Sequence, residues 1–159
     1  MNQKQLISLL GDPSVNQVAF ERANMVLWDI PQEINDAIKP LPNKAYVNKR
    51  IVAPLETALR RCIAEGVQGE IKTWDGCFNV RKKRGLGTLS MHAFGLAIDM
   101  NAAWNPLITV GVLDPVILRK QYVTWTEQFL ECWRGSGWTC GADWRTRLDG
   151  MHFEYLKFQ

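Results

Sequence analysis

The chain contains only two histidines, His92 and His152, and each sits in a short segment dense in groups that bind metals or move protons. The first segment reads Ser90-Met91-His92-Ala93-Phe94-Gly95-Leu96-Ala97-Ile98-Asp99, the second Asp149-Gly150-Met151-His152-Phe153-Glu154. Asp99 ends an otherwise apolar run, where a carboxylate needs a partner or a metal. Two imidazoles and one carboxylate make a zinc set, and three protein ligands leave a fourth tetrahedral position for water, the mark of a catalytic site. The candidate ligands of one Zn2+ are therefore His92, Asp99 and His152. Asp149, three residues before His152, is the candidate general base, taking a proton from water and passing it to the leaving amine. The same ligand types also build the iron(II) oxygenase triad. That triad usually separates its first histidine and carboxylate by one residue on a many-stranded barrel, whereas six residues intervene here.

These side chains need elements to bring them together. Leu96 to Met100 alternates and reads as a buried strand, with Ala97, Asp99 and Asn101 on one face and Leu96, Ile98 and Met100 on the other. Met151 to Tyr155 reads as a second strand, with His152 and Glu154 sharing its polar face. If the two pair, Asp99 and His152 lie together, and Gly95 permits the bend that carries His92 over them. Elsewhere, residues 3–10 and 15–28 read as helices, the latter from Val15, Val18, Ala19, Ala23, Val26 and Leu27, with Pro31 closing that part. Residues 36–48 read as irregular. The clearest helix runs from Lys49 to Glu65, with Ile51, Leu55, Ala58, Leu59, Cys62 and Ile63 as its stripe and Gly66 as its stop. Gly69 to Trp74 reads as a strand, and 76–90 as a long loop of the kind that is often functional. Pro115 to Arg134 reads as one long helix, with Ile117, Leu118, Trp125, Phe129 and Cys132 inward. Together these predict an α+β fold, a small and mainly antiparallel sheet packed with helices. A single domain is expected over 1–159, with 1–30 a helical segment.

The composition, 47% hydrophobic and 22% charged over 159 residues, is that of a globular protein with a real core. A net charge of +3 is compatible with an anionic polymer as partner but does not demand one. The basic run Arg81-Lys82-Lys83-Arg84 has no nucleic-acid-binding motif beside it, so Lys82 and Lys83 read as part of a solvated loop and no nucleic-acid partner is expected. Four cysteines without a C-x-x-C pair indicate neither a zinc ribbon nor a dense disulfide framework. Cys62 and Cys132 read as small buried hydrophobes. Cys77 and Cys140 pair only if the fold brings a partner to them. The seven tryptophans read first as core and second as platforms for substrate. Met1 to Leu10 lacks the long apolar region and cleavage site of a signal peptide. No run is long enough to span a bilayer. Synthesis in the cytoplasm without stable membrane insertion is expected.

The two histidine segments resemble those of the D-alanyl-D-alanine carboxypeptidase and L-alanyl-D-glutamate peptidase superfamily, zinc peptidases of cell-wall turnover. The family pattern S-x-H-x-x-G-x-A-x-D, followed by D/E-x-x-H, is met by Ser90, His92, Gly95, Ala97 and Asp99, then Asp149 and His152. Three further blocks resemble the bacteriophage endolysin branch. Gly76-Cys77-Phe78-Asn79-Val80-Arg81 is similar to its G-x-Y/F-N-x-R, Gly137 to Trp144 to its G-W-x-x-G-G-D-W, and His152-Phe153-Glu154 to its H-F-E/Q. Ala142 stands where the family usually has glycine, which bears on the shape of that turn if positive φ is required. The resemblance runs from about residue 35 to the end, and residues 1–30 carry no recognised motif.

The resemblance implies a zinc peptidase acting on bacterial peptidoglycan, with Asp149 as base and Arg81 steadying the carbonyl oxygen as it gains charge. It also implies Ser90 orienting His92 or substrate, and Glu154 either supporting His152 or lining the substrate groove. An endolysin cutting the L-alanyl-D-glutamate bond is favoured, with a D-alanyl-D-alanine carboxypeptidase as the alternative. A non-catalytic cell-wall-binding protein that keeps its metal is a further rival, and the presence of Asp149 argues against it. A lysis role implies a monomer held in the host cytoplasm until a separate membrane-permeabilising protein releases it to the wall.

Overall fold

The computed structural model describes residues 1–83, 85–109 and 114–158. In chain order the elements are α1 (Gln3–Leu10), α2 (Gln17–Asn24), β1 (Met25–Asp29), α3 (Gln32–Ala37), β2 (Lys44–Asn48), α4 (Val52–Ala64), β3 (Trp74–Gly76), β4 (Ala97–Met100), β5 (Leu107–Thr109), α5 (Pro115–Tyr122), α6 (Glu127–Arg134), β6 (Thr139–Cys140), β7 (Arg147–Asp149) and β8 (His152–Glu154). The central sheet has the order β3-β4-β8-β6, and two smaller sheets pair β1 with β2 and β5 with β7. All pairings are antiparallel. The expected α+β fold with a small antiparallel sheet is the fold observed.

The sheet buries its apolar side against α6 and the segment before it. Phe153 of β8 meets Trp125, Phe129 and Trp133 at ring-centroid distances of 5.8, 6.2 and 4.7 Å, and such pairs add to simple burial. α4 follows the expected stripe, with Leu55, Ala58, Leu59 and Cys62 buried, and it packs against α6. Trp138 locks the two together by donating from Nε1 to the Pro54 carbonyl at 3.1 Å. Gly66, at φ 70°, supplies the left-handed turn that ends α4. Of the tryptophans, Trp125, Trp133 and Trp138 are core, while Trp104 is exposed. The four cysteines are buried and unpaired with one another.

Four elements differ from expectation. The helix read over 15–28 stops at Asn24, and Met25–Asp29 is a strand instead. Val15 and Val18 are 82% and 70% exposed, so the supposed stripe faces solvent. The bulky Met-Val-Leu-Trp run takes the β conformation it favours once β2 offers a partner. The segment 1–30 is thus not all helical. Residues 36–48, read as irregular, include β2. The strand read over 69–74 is displaced to Trp74–Gly76 behind a 3₁₀ turn at Gln68–Glu70. The long helix read over 115–134 is two helices. Thr126 caps α6 through the Phe129 amide, and its own amide donates to the Glu70 carboxylate at 2.9 Å. The β-branched pair Val123-Thr124 before it is a poor helix interior. Ile117, expected inside, is 58% exposed on α5.

Candidate metal centre and active site

β4 and β8 run antiparallel with Asp99 directly opposite His152. The backbone alternation expected from the sequence therefore sets both side chains on one face. His92 arrives from a 3₁₀ turn, Met91–Phe94, capped by Ser90, whose Oγ accepts from the His92 amide. Gly95 ends that turn at φ 64°. A Cβ there would press on the Met25 side-chain end at 2.6 Å and on the Asn48 amide nitrogen at 3.1 Å, which with the left-handed conformation favours glycine. Asn48 at the end of β2 fixes the same turn, donating from Nδ2 to the Phe94 carbonyl at 2.9 Å and from its amide to the Gly95 carbonyl at 3.0 Å. The N-terminal hairpin thus positions a histidine far away in sequence.

The three candidate ligand atoms form a nearly equilateral triangle. His92 Nε2 lies 3.2 Å from His152 Nδ1 and 3.2 Å from Asp99 Oδ1, and His152 Nδ1 lies 3.3 Å from Asp99 Oδ1. Tetrahedral bonds of about 2.0–2.1 Å to one ion place ligand atoms roughly 3.3 Å apart. The far nitrogens decide the tautomers. His92 Nδ1 is 2.7 Å from the Cys77 carbonyl, which only accepts, so that nitrogen carries the hydrogen. His152 Nε2 is 3.0 Å from the Glu154 carboxylate and donates likewise. Each imidazole then turns a bare lone pair toward the Asp99 oxygen. With both imidazoles neutral, three acceptors converge without a donor between them, which fits a cation, and the group is placed to hold one.

Without a metal, a proton is drawn to the same acceptors. Burial alone would raise the Asp99 carboxyl, but hydrogen bonds with His152 and His92 outweigh it and hold the group well below the usual carboxylate range. Burial pulls the His152 imidazolium down, yet its bonds to Asp99 and Glu154 carry it up to about 9. A metal ion and that proton compete for the same Nδ1 lone pair.

Asp149 lines the same groove as the triangle. Its Oδ1 is buried and, among the described residues, has no hydrogen-bond partner. Burial is the chief reason its carboxyl is raised; the negative charge of Asp99 adds to this, and His152, His92 and Arg147 oppose it without prevailing. A carboxylate raised toward neutrality is suited to proton transfer. Its backbone is clamped: a Cβ on Gly141 would lie 2.3 Å from the Asp149 carbonyl oxygen, and Trp125 Nε1 donates to the neighbouring Gly150 carbonyl at 2.7 Å.

Arg81 and Ser90 also line the groove. Ser90 is buried beside His92, and Glu154 both holds His152 and borders the opening. Of the basic run, Arg81 and Lys83 face the groove, Lys82 is exposed, and Arg84 lies outside the described residues. Ala142 has no positive φ, so the departure from glycine leaves that turn intact. Asp143 ties its loop down by pairing both oxygens with Arg134, at 2.8 and 2.6 Å. Several contributors were not read from the sequence. The Cys77 carbonyl orients His92, a backbone role with no side-chain signature. Trp144, which the sequence offered only as the end of a motif block, tilts over His152 at 5.2 Å. Arg147, on the same strand as Asp149, carried a signal that was available, since i and i+2 share a strand face.

Residues 84–155 match the family model described as D-alanyl-D-alanine carboxypeptidase. The match contains His92, Asp99, Asp149 and His152 and begins after the Gly76–Arg81 block. No curated protein and no solved structure matches the chain significantly. Residues 84–155, a little under half of the chain, are therefore similar to the D-alanyl-D-alanine carboxypeptidase family, and this matched segment holds the His-Asp-His group placed for a metal.

Proposed function

We propose that this protein is a zinc-dependent endolysin that hydrolyses the L-alanyl-D-glutamate bond of the peptidoglycan stem peptide. The observation that carries the reading is the triangle of three acceptors sharing one groove with Asp149, whose raised carboxyl has a buried, unpartnered oxygen. Zinc held by His92, Asp99 and His152 would supply Lewis acidity to activate water and polarise the amide carbonyl. Asp149 takes the proton released from the attacking water and returns it to the leaving nitrogen. Arg81, on the groove wall, lends positive charge to the carbonyl oxygen. Ser90 caps the turn that carries His92, the Cys77 carbonyl and Glu154 hold the two imidazoles in register, and Trp144 screens His152 from bulk water.

The endopeptidase is favoured over a carboxypeptidase because all three phage-like blocks contribute to this one site. They bring the Cys77 carbonyl and Arg81, then Trp144, then His152 with Glu154. A single peptidase domain acting as a monomer, and released to the wall through a membrane opened by a separate protein, complete the proposal. No helix among the described residues is long and apolar enough to cross a membrane.

The test is a digest of purified peptidoglycan, with and without a chelator, read by mass spectrometry. New N-terminal D-glutamate that appears only with zinc is expected. Free D-alanine as the product would establish the carboxypeptidase instead, and no product from folded, zinc-loaded protein would sink the peptidase reading.

A further inference from the structure

The groove has a feature that general hydrolysis does not require. On β7, Leu148 is buried at 1%, so its neighbours Arg147 and Asp149 stand on the opposite face, and both line the groove. Their Cα atoms are separated by one pleat repeat, about 6.6 Å. A guanidinium therefore stands one step along the wall from the proposed base. Its charge is felt there, being among those that pull against the raised Asp149 carboxyl. Leu107 pairs with Asp149 and Thr109 with Arg147 on the adjoining strand, which braces both positions.

The charge of the groove has a consequence for what enters it. Among the described residues, Arg81, Lys83 and Arg147 line it together with Asp99, Asp149 and Glu154, three basic and three acidic side chains. A divalent ion in the triangle tips this balance to net positive, so the loaded groove attracts anions.

We propose that Arg147 forms a subsite for a free carboxylate on the residue that contributes the amine of the scissile bond. This rests on the peptidase reading above. Asp149 has to reach the leaving nitrogen, and that nitrogen is bonded to the α-carbon that bears the carboxylate. Base and guanidinium on the wall thus follow the same order as nitrogen and carboxylate in the substrate. Guanidinium suits the task because its planar fork bonds both oxygens at once. The shared chemistry has two sources in the wall peptide: the α-carboxylate of a D-glutamate linked through its side chain, and the terminal carboxylate of D-alanine.

Binding of product-like ligands tests this without relying on turnover. γ-D-Glutamyl-L-lysine and its α-amide, and D-alanine and D-alaninamide, are titrated by calorimetry into the zinc-loaded protein and into Arg147→Ala and Arg147→Lys. Circular dichroism and zinc content show that each variant is folded and loaded. The parent is expected to prefer one carboxylate over its amide by about tenfold, the strength of one charge-assisted pair. Arg147→Ala is expected to bind acid and amide alike, with Arg147→Lys intermediate. The acid that shows the preference identifies its source. Full selectivity retained in Arg147→Ala, or no binding of any ligand by the parent at millimolar concentration, overturns the subsite. Cleavage of whole peptidoglycan is scored separately. Selective binding without cleavage would overturn the peptidase reading and leave the subsite standing, whereas cleavage with unchanged selectivity in Arg147→Ala would do the reverse.

Discussion

Asp149 is the residue on which metal binding and catalysis part company. It lines the groove but is not one of the three atoms of the triangle. Asp149→Ala is therefore expected to keep its zinc, measured by elemental analysis, while hydrolysis falls by about 10²–10⁴-fold, the usual contribution of a general base. His92→Ala is expected to lose metal and activity together. The raised Asp149 carboxyl also fixes a pH dependence. A base works when deprotonated, so kcat/KM should climb with pH as the Asp149 carboxyl loses its proton, and bound zinc should move that rise to lower pH than the metal-free carboxyl would show. The same shift has a sign for stability. A folded-state value above the unfolded one contributes stability that is complete below 3.8 and is lost as pH rises through the folded value. Asp149→Asn should then match or exceed the parent in thermal melts near neutrality, with the lead shrinking in acid. Glu154→Gln weakens the hold on His152 Nε2 and should lower zinc affinity about 10–100-fold in a chelator competition.

At the scale of elements, the parts nearest the chemistry were the most legible. The alternation of β4 and β8 put Asp99 and His152 on the polar faces of two strands, to lie together if those strands paired, and the pairing found sets them directly opposite. Gly95 was legible as the bend. The misread elements take their conformation from distant partners. Met25–Asp29 is a strand because β2 lies beside it, and the break before α6 depends on Glu70 meeting Thr126. Neither contact has a local signature. The clamp around Asp149 belongs to the same class, built by Gly141 and by Trp125 from separate segments. Trp125→Phe keeps an aromatic ring but removes the donor to Gly150 and part of the packed indole, which should cost at least about 1 kcal/mol and lower Tm by at least about 2–4 °C. Activity is expected to fall further than that loss of stability accounts for, because the turn that follows the base is freed. A variant with lowered Tm and unchanged kcat would show that the turn needs no such anchor.

For the whole molecule, the metal is expected to act as a staple between distant segments, since its candidate ligands come from a 3₁₀ turn and two separate strands. Zinc at one hundred times its Kd should add about 2.7 kcal/mol, and a scanning calorimeter should show no such gain in His92→Ala. The buried cysteines extend this to time. Burial pushes the Cys140 thiol up to about 12 and raises Cys77 and Cys62 as well. A thiol so placed is inert to alkylating reagents until its surroundings open. Cys62 and Cys132 lie on the packed helices α4 and α6, whereas Cys77 touches the Gly95 carbonyl through Sγ and holds His92 through its own carbonyl oxygen. The chain therefore carries its own clocks: the labelling rate of Cys62 and Cys132 times the opening of the core, and that of Cys77 times the loosening of the histidine turn alone.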